Sequence, residues 1–512
     1  MNRFLLLLAF GPAVTPTPTE AMVPMSFQVP TEDAVTVEHP EGLAAVEALE
    51  FPPLAFAPPE ALEYEVSGVH VFHLEDPSLP LVDVQLFLRG GISNFPRDRL
   101  GTISALPYAL RNGGTIALPP DSVDRRIDLL ALQVGVGQGG GGISLSLNAL
   151  THRIDAGLEL LQEMLLEPRF DPEVVEVWRI RELERLRRRE DNPGSLAFSE
   201  FNRLMYGDHP IGWVLAEDDL APDRLSREAF RESHAEILCR DRLIVGISGD
   251  LTWDQAEERI LRFLEPWPEC EHELPKPPRP ELREDRGVFV LPKALDQSTI
   301  VMAGPSGIQQ GDTQEYFASR VANYLLGGRG FNSRILARIR TEEGLTYGAA
   351  SVWTTPRRSD GIAGAFTATR ADRTIQVARL LLEILGDFRT SPPQQQEVDE
   401  AVEEIANGYV FAFESPAQIV SRRMVFRAQG LPDGWLERYL EGLREVTAED
   451  VRTAVRDHLH PEHMTILIVG DPDQLDSGLA TLGPVFELTA EGEFHPPVDP
   501  GSDPDAGPRS PR

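Results

Sequence analysis

Cysteine is almost absent from this chain: Cys239 and Cys270 are the only two in 512 residues. That scarcity excludes a disulfide framework and a thiolate zinc ribbon, while a single bridge between the two stays open, and the redox compartment with it. Long apolar runs are missing too. The run FLLLLAF, residues 4–10, is far shorter than the roughly 20 apolar residues that a membrane-spanning helix needs, and no later stretch approaches that length. No transmembrane segment is expected. Positive charge is scarce, with 48 Lys and Arg against 81 Asp and Glu and a formal net charge of −33. A nucleic-acid partner requires a cationic face, so none is expected.

What is present points to an exported protein of more than one domain. A chain of 512 residues with 41% hydrophobic content is too long for a single core. Met1-Asn2-Arg3, the apolar run and the small residues Ala13 and Ala21 have the shape of a signal peptide over 1–21, which implies export to the periplasm. Residues 22–63 are rich in Pro and Glu and suit an arm, and residues 486–512 suit a disordered acidic tail. KPPRPELRED opens a linker over 276–286, leaving a first domain at 64–275 and a second at 287–485.

The two domains repeat each other. LSREAFRESHAEILCRDRLIVGISGD (225–250) and VTAEDVRTAVRDHLHPEHMTILIVGD (446–471) align without a gap, and Ser226 to Gly249 and Thr447 to Gly470 are both 23 residues apart. Each segment predicts a capped helix, a polar turn and an apolar strand. Further strands are predicted at 81–89, 287–291 and 298–303. A helix is predicted over 171–190, capped by Asp171 before Pro172, with Val174, Val177, Trp178, Leu183 and Leu186 on its apolar face. Irregular alternation of helix and strand indicates an α+β fold.

Several clusters invite chemistry and have plainer explanations. VGVGQGGGGIS (134–144) lacks the Lys-Ser/Thr of a phosphate loop and is followed by an alternating stretch, as in a hairpin. His70 and His73 fall on opposite sides of a strand, which argues against a shared ion. Asp457, His458, His460 and His463 occupy the polar turn of the repeat, where a solvated loop competes with metal binding. The arginines 187–189 end a helix, where cations complement the dipole. GTISALPYALRNGGT (101–115) is apolar and holds no histidine, carboxylate or cysteine. The most specific block is YLLGGRGFNSRILARIRTEEGLTYGAASVW (324–353). There Gly344 predicts a helix stop that places Arg340 in a last helical turn and Tyr347 on the next strand. An Arg fork beside a phenol can stabilise an oxyanion, and an Arg merely packed on a Tyr ring is the competing reading.

This block, with the paired ISGD and IVGD strand ends, FESPAQIV (413–420) and MYGDHPIGW (205–213), resembles the pitrilysin (insulinase) family of zinc peptidases. The similarity is to its two-domain bacterial members and the mitochondrial processing peptidase, and it spans about residues 64–480. It implies two homologous domains, each a mainly antiparallel sheet flanked by helices, together forming half of a clamshell. Catalytic members of that family carry His-x-x-Glu-His on a first-domain helix and a further Glu downstream. The matching positions here are Ser104, Pro107 and Tyr108 counted from Gly101, or Ala105, Tyr108 and Ala109 counted back from Gly114 and Thr115; the downstream Glu falls near Glu184 and best matches Arg185. No metal is therefore expected in this chain. By the same resemblance, Arg340 and Tyr347 support the oxyanion in trans, and Gly327, Gly328 and Gly330 lie in a mobile substrate-binding loop. The expected partners are a zinc-bearing subunit of the family and an unfolded peptide, this chain being the non-catalytic subunit. A catalytically inert binding or structural module of the same fold is the alternative, and a peptidase acting alone through an unrecognised metal site is the second alternative.

Overall fold

A computed structural model describes residues 60–488 except 140 and 285, together with 494 and 495. The expected signal peptide, most of the arm and most of the tail lie outside the described residues. The apolar strands build two sheets. In the first half these are β1 (Leu62–Val66), β2 (Val69–Glu75), β3 (Leu81–Arg89), β4 (Gln133–Gly139), β5 (Gly142–Leu150) and β6 (Leu243–Gly249), ordered β1-β2-β6-β3-β5-β4. In the second they are β7 (Gly287–Pro292), β8 (Gln297–Pro305), β9 (Thr346–Trp353), β10 (Ile362–Arg370), β11 (Thr465–Gly470), β12 (Val485–Leu488) and β13 (Phe494–His495), ordered β13-β12-β7-β11-β8-β10-β9. Apart from the edge strands β1, β12 and β13, the orders match strand for strand. β2 pairs with β6 and β7 with β11 in parallel, β12 adds a second parallel pair with β7, and the remaining pairs are antiparallel. The fold is α+β and internally duplicated.

The repeat seen in the sequence is the helix and strand that close each half. Ser226 accepts from the Ala229 N–H to start the Arg227–Ile237 helix, and Thr447 accepts from Asp450 N–H to start Ala448–His458. Asp450 returns the bond to the Thr447 N–H at 2.8 Å, so the second cap is reciprocal. Caps of this kind contribute about 1 kcal/mol each. A short turn leads from each helix into β6 or β11, whose residues are buried almost throughout. Central strands covered on both faces show this pattern.

That second face is covered by an exchange of helices between the halves. The Pro193–Tyr206 helix packs Leu196, Phe201, Leu204 and Met205 against Phe289, Val301, Leu467 and Val469 of the second sheet. In return the Pro416–Gln429 helix lies on the first sheet, where Gln85 donates to the Ala417 carbonyl at 2.8 Å. Gly246 on β6 permits this approach, since a Cβ there would stand 2.3 Å from Val420. Both exchanged helices begin alike, with Asn192 before Pro193 and Ser415 before Pro416 as side-chain caps.

Cys239 and Cys270 form a disulfide with a Cα separation of 5.0 Å, fastening the chain after the Trp253–Leu264 helix to the turn before β6. In a chain-entropy account, closing a loop of this length contributes about 3 to 4 kcal/mol. Three details differ from the sequence-based expectation. β1 begins at Leu62, inside the stretch assigned to the arm. The second sheet continues past residue 485, because β12 pairs in parallel with β7 and buries Leu488. The Pro172–Arg187 helix buries Val175 and Trp178 but leaves Val177 and Ile180 exposed, because it packs through a narrower face than the sequence suggests.

Candidate functional site

In the first half the segment 101–115 folds into the Leu100–Asn112 helix, which buries Ile103, Ala105, Leu106, Ala109 and Leu110. Gly101 is required at its start. A Cβ there would lie 1.9 Å from the Asp219 carbonyl oxygen. Asp219 is itself buried, receives Arg97 at 2.5 and 2.9 Å and Arg224 at 3.1 Å, and accepts from the Ala216 N–H. The helix is thus pinned at its origin by a satisfied buried carboxylate. Pro107 sits inside it and supplies no N–H to the Ile103 carbonyl. The helix ends at Gly113, and Gly114 follows at φ +73°.

The positions where a zinc peptidase would place ligands do not fit the metal. Ser104 and Tyr108 offer neutral hydroxyls, buried Pro107 offers no donor atom, and Arg185 offers a cation. Ser104 and Arg185 do share one cleft, of about 980 Å³, between the Leu100–Asn112 and Pro172–Arg187 helices. Of the positions matched by resemblance, Ser104 and Arg185 thus meet in one cleft, and neither side chain suits zinc. Arg185 points outward and pairs with Glu182 at 2.7 Å, while Glu184 is engaged by Arg188 at 2.7 Å. Arg181 approaches the Tyr108 hydroxyl at 3.5 Å. Among the described residues, no group of three or more His, Cys, Asp or Glu is arranged to hold a metal ion. The histidines are committed elsewhere. His73 bonds the Leu251 carbonyl at 2.9 Å, His70 lies between Glu63 and Arg427, and His458 bonds the Ser306 carbonyl at 2.6 Å.

The second half keeps its pair together. Arg340 lies in a widened π-turn, Ala337–Glu342, which stops where Gly344 at φ +63° donates its N–H to the Arg340 carbonyl. The reversal carries the chain into β9 with Tyr347 near its start. Arg340 Nη1 donates to the Tyr347 carbonyl at 2.8 Å, and the guanidinium lies 4.6 Å from the Tyr347 ring centre. Its other neighbour is Phe331, whose ring centre is 4.5 Å away. Phe331 and Tyr347 are 60% and 83% exposed, so the sandwich stands open to solvent instead of filling a core. Sequence reasoning missed Phe331; an aromatic directly after a glycine turn was the available signal. Arg340 is stacked on Tyr347, and the Tyr347 side chain remains exposed.

The glycine turn beside them is tethered. Gly327 abuts β9 so closely that a Cβ would stand 2.0 Å from the Ser351 amide nitrogen. Gly328 neighbours the Tyr324 ring, and Gly330 at φ +62° has open space around it. Between them Arg329 reaches the Gln395–Tyr409 helix, donating to Glu404 at 2.6 Å and to Glu400 at 3.0 Å. Tyr324 donates to the same Glu404 at 2.8 Å. Partial burial, then the hydrogen bond to Glu404 and its charge, push the Tyr324 phenol up to about 12. Burial opposes ionisation of Glu404, yet the bonds from Arg329 and Tyr324 hold it below the usual carboxylate range.

Residues 224–405 match the family model described as the peptidase M16 inactive domain. The chain is 22% identical over 409 residues to the non-peptidase homolog YmxG of Helicobacter pylori, covering 80% of this chain and 93% of that one. It is 23% identical over 327 residues to an uncharacterized zinc protease of Mycobacterium leprae, covering 61% of this chain and 71% of the relative. Among solved structures, a peptidase M16 inactive domain from Pseudomonas fluorescens superposes with a TM-score of 0.71 at 24% identity, over 80% of this chain and 98% of that one. The periplasmic protease PqqL of Escherichia coli superposes with a TM-score of 0.70 at 15% identity, over 81% of this chain and 46% of PqqL. The chain is thus similar to the peptidase M16, or pitrilysin, family: residues 224–405 match its inactive domain, the duplicated fold superposes on solved structures of that kind, and the sequence contains no His-x-x-Glu-His motif.

Proposed function

We propose that this chain is the non-catalytic, substrate-binding subunit of a heterodimeric zinc peptidase, forming half of a clamshell with a zinc-bearing partner of the same family. The observation that carries this reading is the open Arg340–Tyr347 pair in a chain whose ligand positions do not fit zinc. Beyond the bond to the Tyr347 carbonyl, the N–H groups of Arg340 have no partner among the described residues, and neither has the Tyr347 hydroxyl. Two unspent donors held by stacking suit a carbonyl oxygen that gains charge as it becomes tetrahedral. An extended, unfolded peptide is the substrate that such a pair, next to a glycine turn, could grip along its backbone. The Cys239–Cys270 bridge supports an oxidising compartment and hence export to the periplasm.

The second reading, an inert binding or structural module, draws on one observation: Arg340 is packed between two rings as a structural arginine would be. Reconstitution separates the two. The chain is mixed with a zinc-bearing family member from the same genome, and hydrolysis of an unstructured peptide is followed. Turnover well above that of either chain alone supports the subunit reading, while turnover equal to the partner's alone supports the inert module.

A further inference from the structure

Although the chain carries a formal net charge of −33, three guanidiniums converge at the junction of its halves without forming an ion pair among the described residues. Arg89 ends β3, Arg242 immediately precedes β6, and Arg358 lies in the loop between β9 and β10. They line a cavity of about 510 Å³ together with Asn94 and Lys276. Its wall is a fixed segment, 270–277. The disulfide holds that segment at Cys270, Arg242 Nη2 donates to the His272 carbonyl at 2.6 Å, and Asn94 donates to the Pro275 carbonyl at 2.7 Å.

Arg242 is 8% exposed, and its Nη1 is buried with no hydrogen-bond partner. An orphaned guanidinium nitrogen is costly to bury unless an acceptor meets it. Among the described residues Arg89 donates only to the Asp241 backbone carbonyl. Asp241, Glu271 and Glu273 also line the cavity, yet none of them pairs with these arginines among the described residues. Desolvation, and then the positive charges of Arg358 and Arg427, hold Arg89 below the ordinary arginine value, and Arg242 is lowered by desolvation and then by Arg89. The charge of Asp241 opposes both shifts, with Glu236 adding to it at Arg242, and burial outweighs them. In a protein this acidic, a distant field would repel an anion, so only a local convergence of cations could retain one.

We propose that this cavity binds a compact oxyanion of the phosphate class, chelated by Arg242 and Arg89 from the first half and Arg358 from the second. Arginine forks match tetrahedral oxyanions with two N–H donors each. The cavity exceeds a bare phosphate in volume, so a small phosphomonoester fits the same chemistry. Because its ligands come from both halves, the bound anion ties the β9–β10 loop to the ends of β3 and β6.

Calorimetric titration of the full chain tests this with inorganic phosphate, with glycerol phosphate, and with chloride at matched ionic strength. Saturable binding of one phosphate per chain is expected, and Arg358→Ala should weaken it by about tenfold or more. Arg358 is exposed, so that variant should fold with an unchanged melting temperature in the absence of phosphate. Arg242→Met should abolish binding, and Arg358→Ala decides the matter if the buried substitution prevents folding. Tighter binding of glycerol phosphate than of phosphate would mark an ester as the ligand, and weaker binding would mark the free anion. No heat beyond the chloride control, or binding unaffected by Arg358→Ala, overturns the proposal.

Discussion

The Leu100–Asn112 helix of the first half and the Gln314–Asn323 helix of the second occupy the same place in the duplicated chain order. Each follows the strand at the middle of its sheet, β3 or β8, and each leads to two adjacent glycines, Gly113-Gly114 or Gly327-Gly328. Beyond that they diverge. The first is a packed helix whose exposed side meets an arginine-lined cleft, and its ligand positions carry Ser104, Pro107 and Tyr108. The second opens into a turn tethered by Arg329 and presents Phe331, Arg340 and Tyr347 to solvent. One scaffold thus supports a half built for packing and a half built for contact. Close backbone approaches at glycine are shared, whereas an open Arg-aromatic cluster is found in the second half.

The comparison can be broken first at its shared constraints. Gly101→Val and Gly327→Val each force a Cβ to within about 2 Å of a backbone atom, at the Asp219 carbonyl and at the Ser351 nitrogen. Each should cost about 3 to 5 kcal/mol in denaturant unfolding. Near-neutral behaviour of either would show that the half concerned is looser than described.

A second contrast lies in the repeated helices, where His234 aligns with Val455. His234 is buried, and desolvation lowers its pKa to about 4 despite a bond to the Leu165 backbone. The unfolded chain, titrating near 6.5, binds this proton first, so the His234 contribution to stability is complete at neutral pH and falls as pH drops from about 6.5 towards 4. At pH 5 the loss should be about 2 kcal/mol relative to pH 8. His234→Val, which copies the other half, should flatten that part of the stability profile. An equally steep profile in the variant would assign the acid sensitivity to other groups.

A smaller effect is expected from the tether. Arg329→Ala removes the bonds to Glu400 and Glu404, and at a partly exposed ion pair this should cost about 1 kcal/mol. Hydrogen exchange should quicken over residues 324–333 and stay unchanged over 100–115. The smallest effect is none at all: a chelator should leave the melting temperature of the isolated chain unchanged, because the ligand positions do not fit zinc. A drop would reveal a structural metal.

Local chemistry explains what the sequence made legible. Ser226, Thr447 and Asp171 act as caps where their positions indicated, and Gly344 turns the chain between Arg340 and Tyr347. These features depend on residues within one turn of each other. The exchange of the Pro193–Tyr206 and Pro416–Gln429 helices depends on surfaces hundreds of residues apart, and no periodicity reports which sheet an amphipathic helix will meet. Phe331 was hidden for the same reason, since its partner Arg340 is brought to it by the fold. The pairing of Cys239 with Cys270 was one of two options that composition could not separate.

The claim that this half supplies contact instead of hydrolysis is tested most directly by the kcat/KM of the reconstituted pair carrying Arg340→Ala in this chain. Loss of a donor to a developing oxyanion should lower it by about a hundredfold, with the zinc content of the partner unchanged. An active pair whose kcat/KM is the same with and without Arg340 would contradict the account.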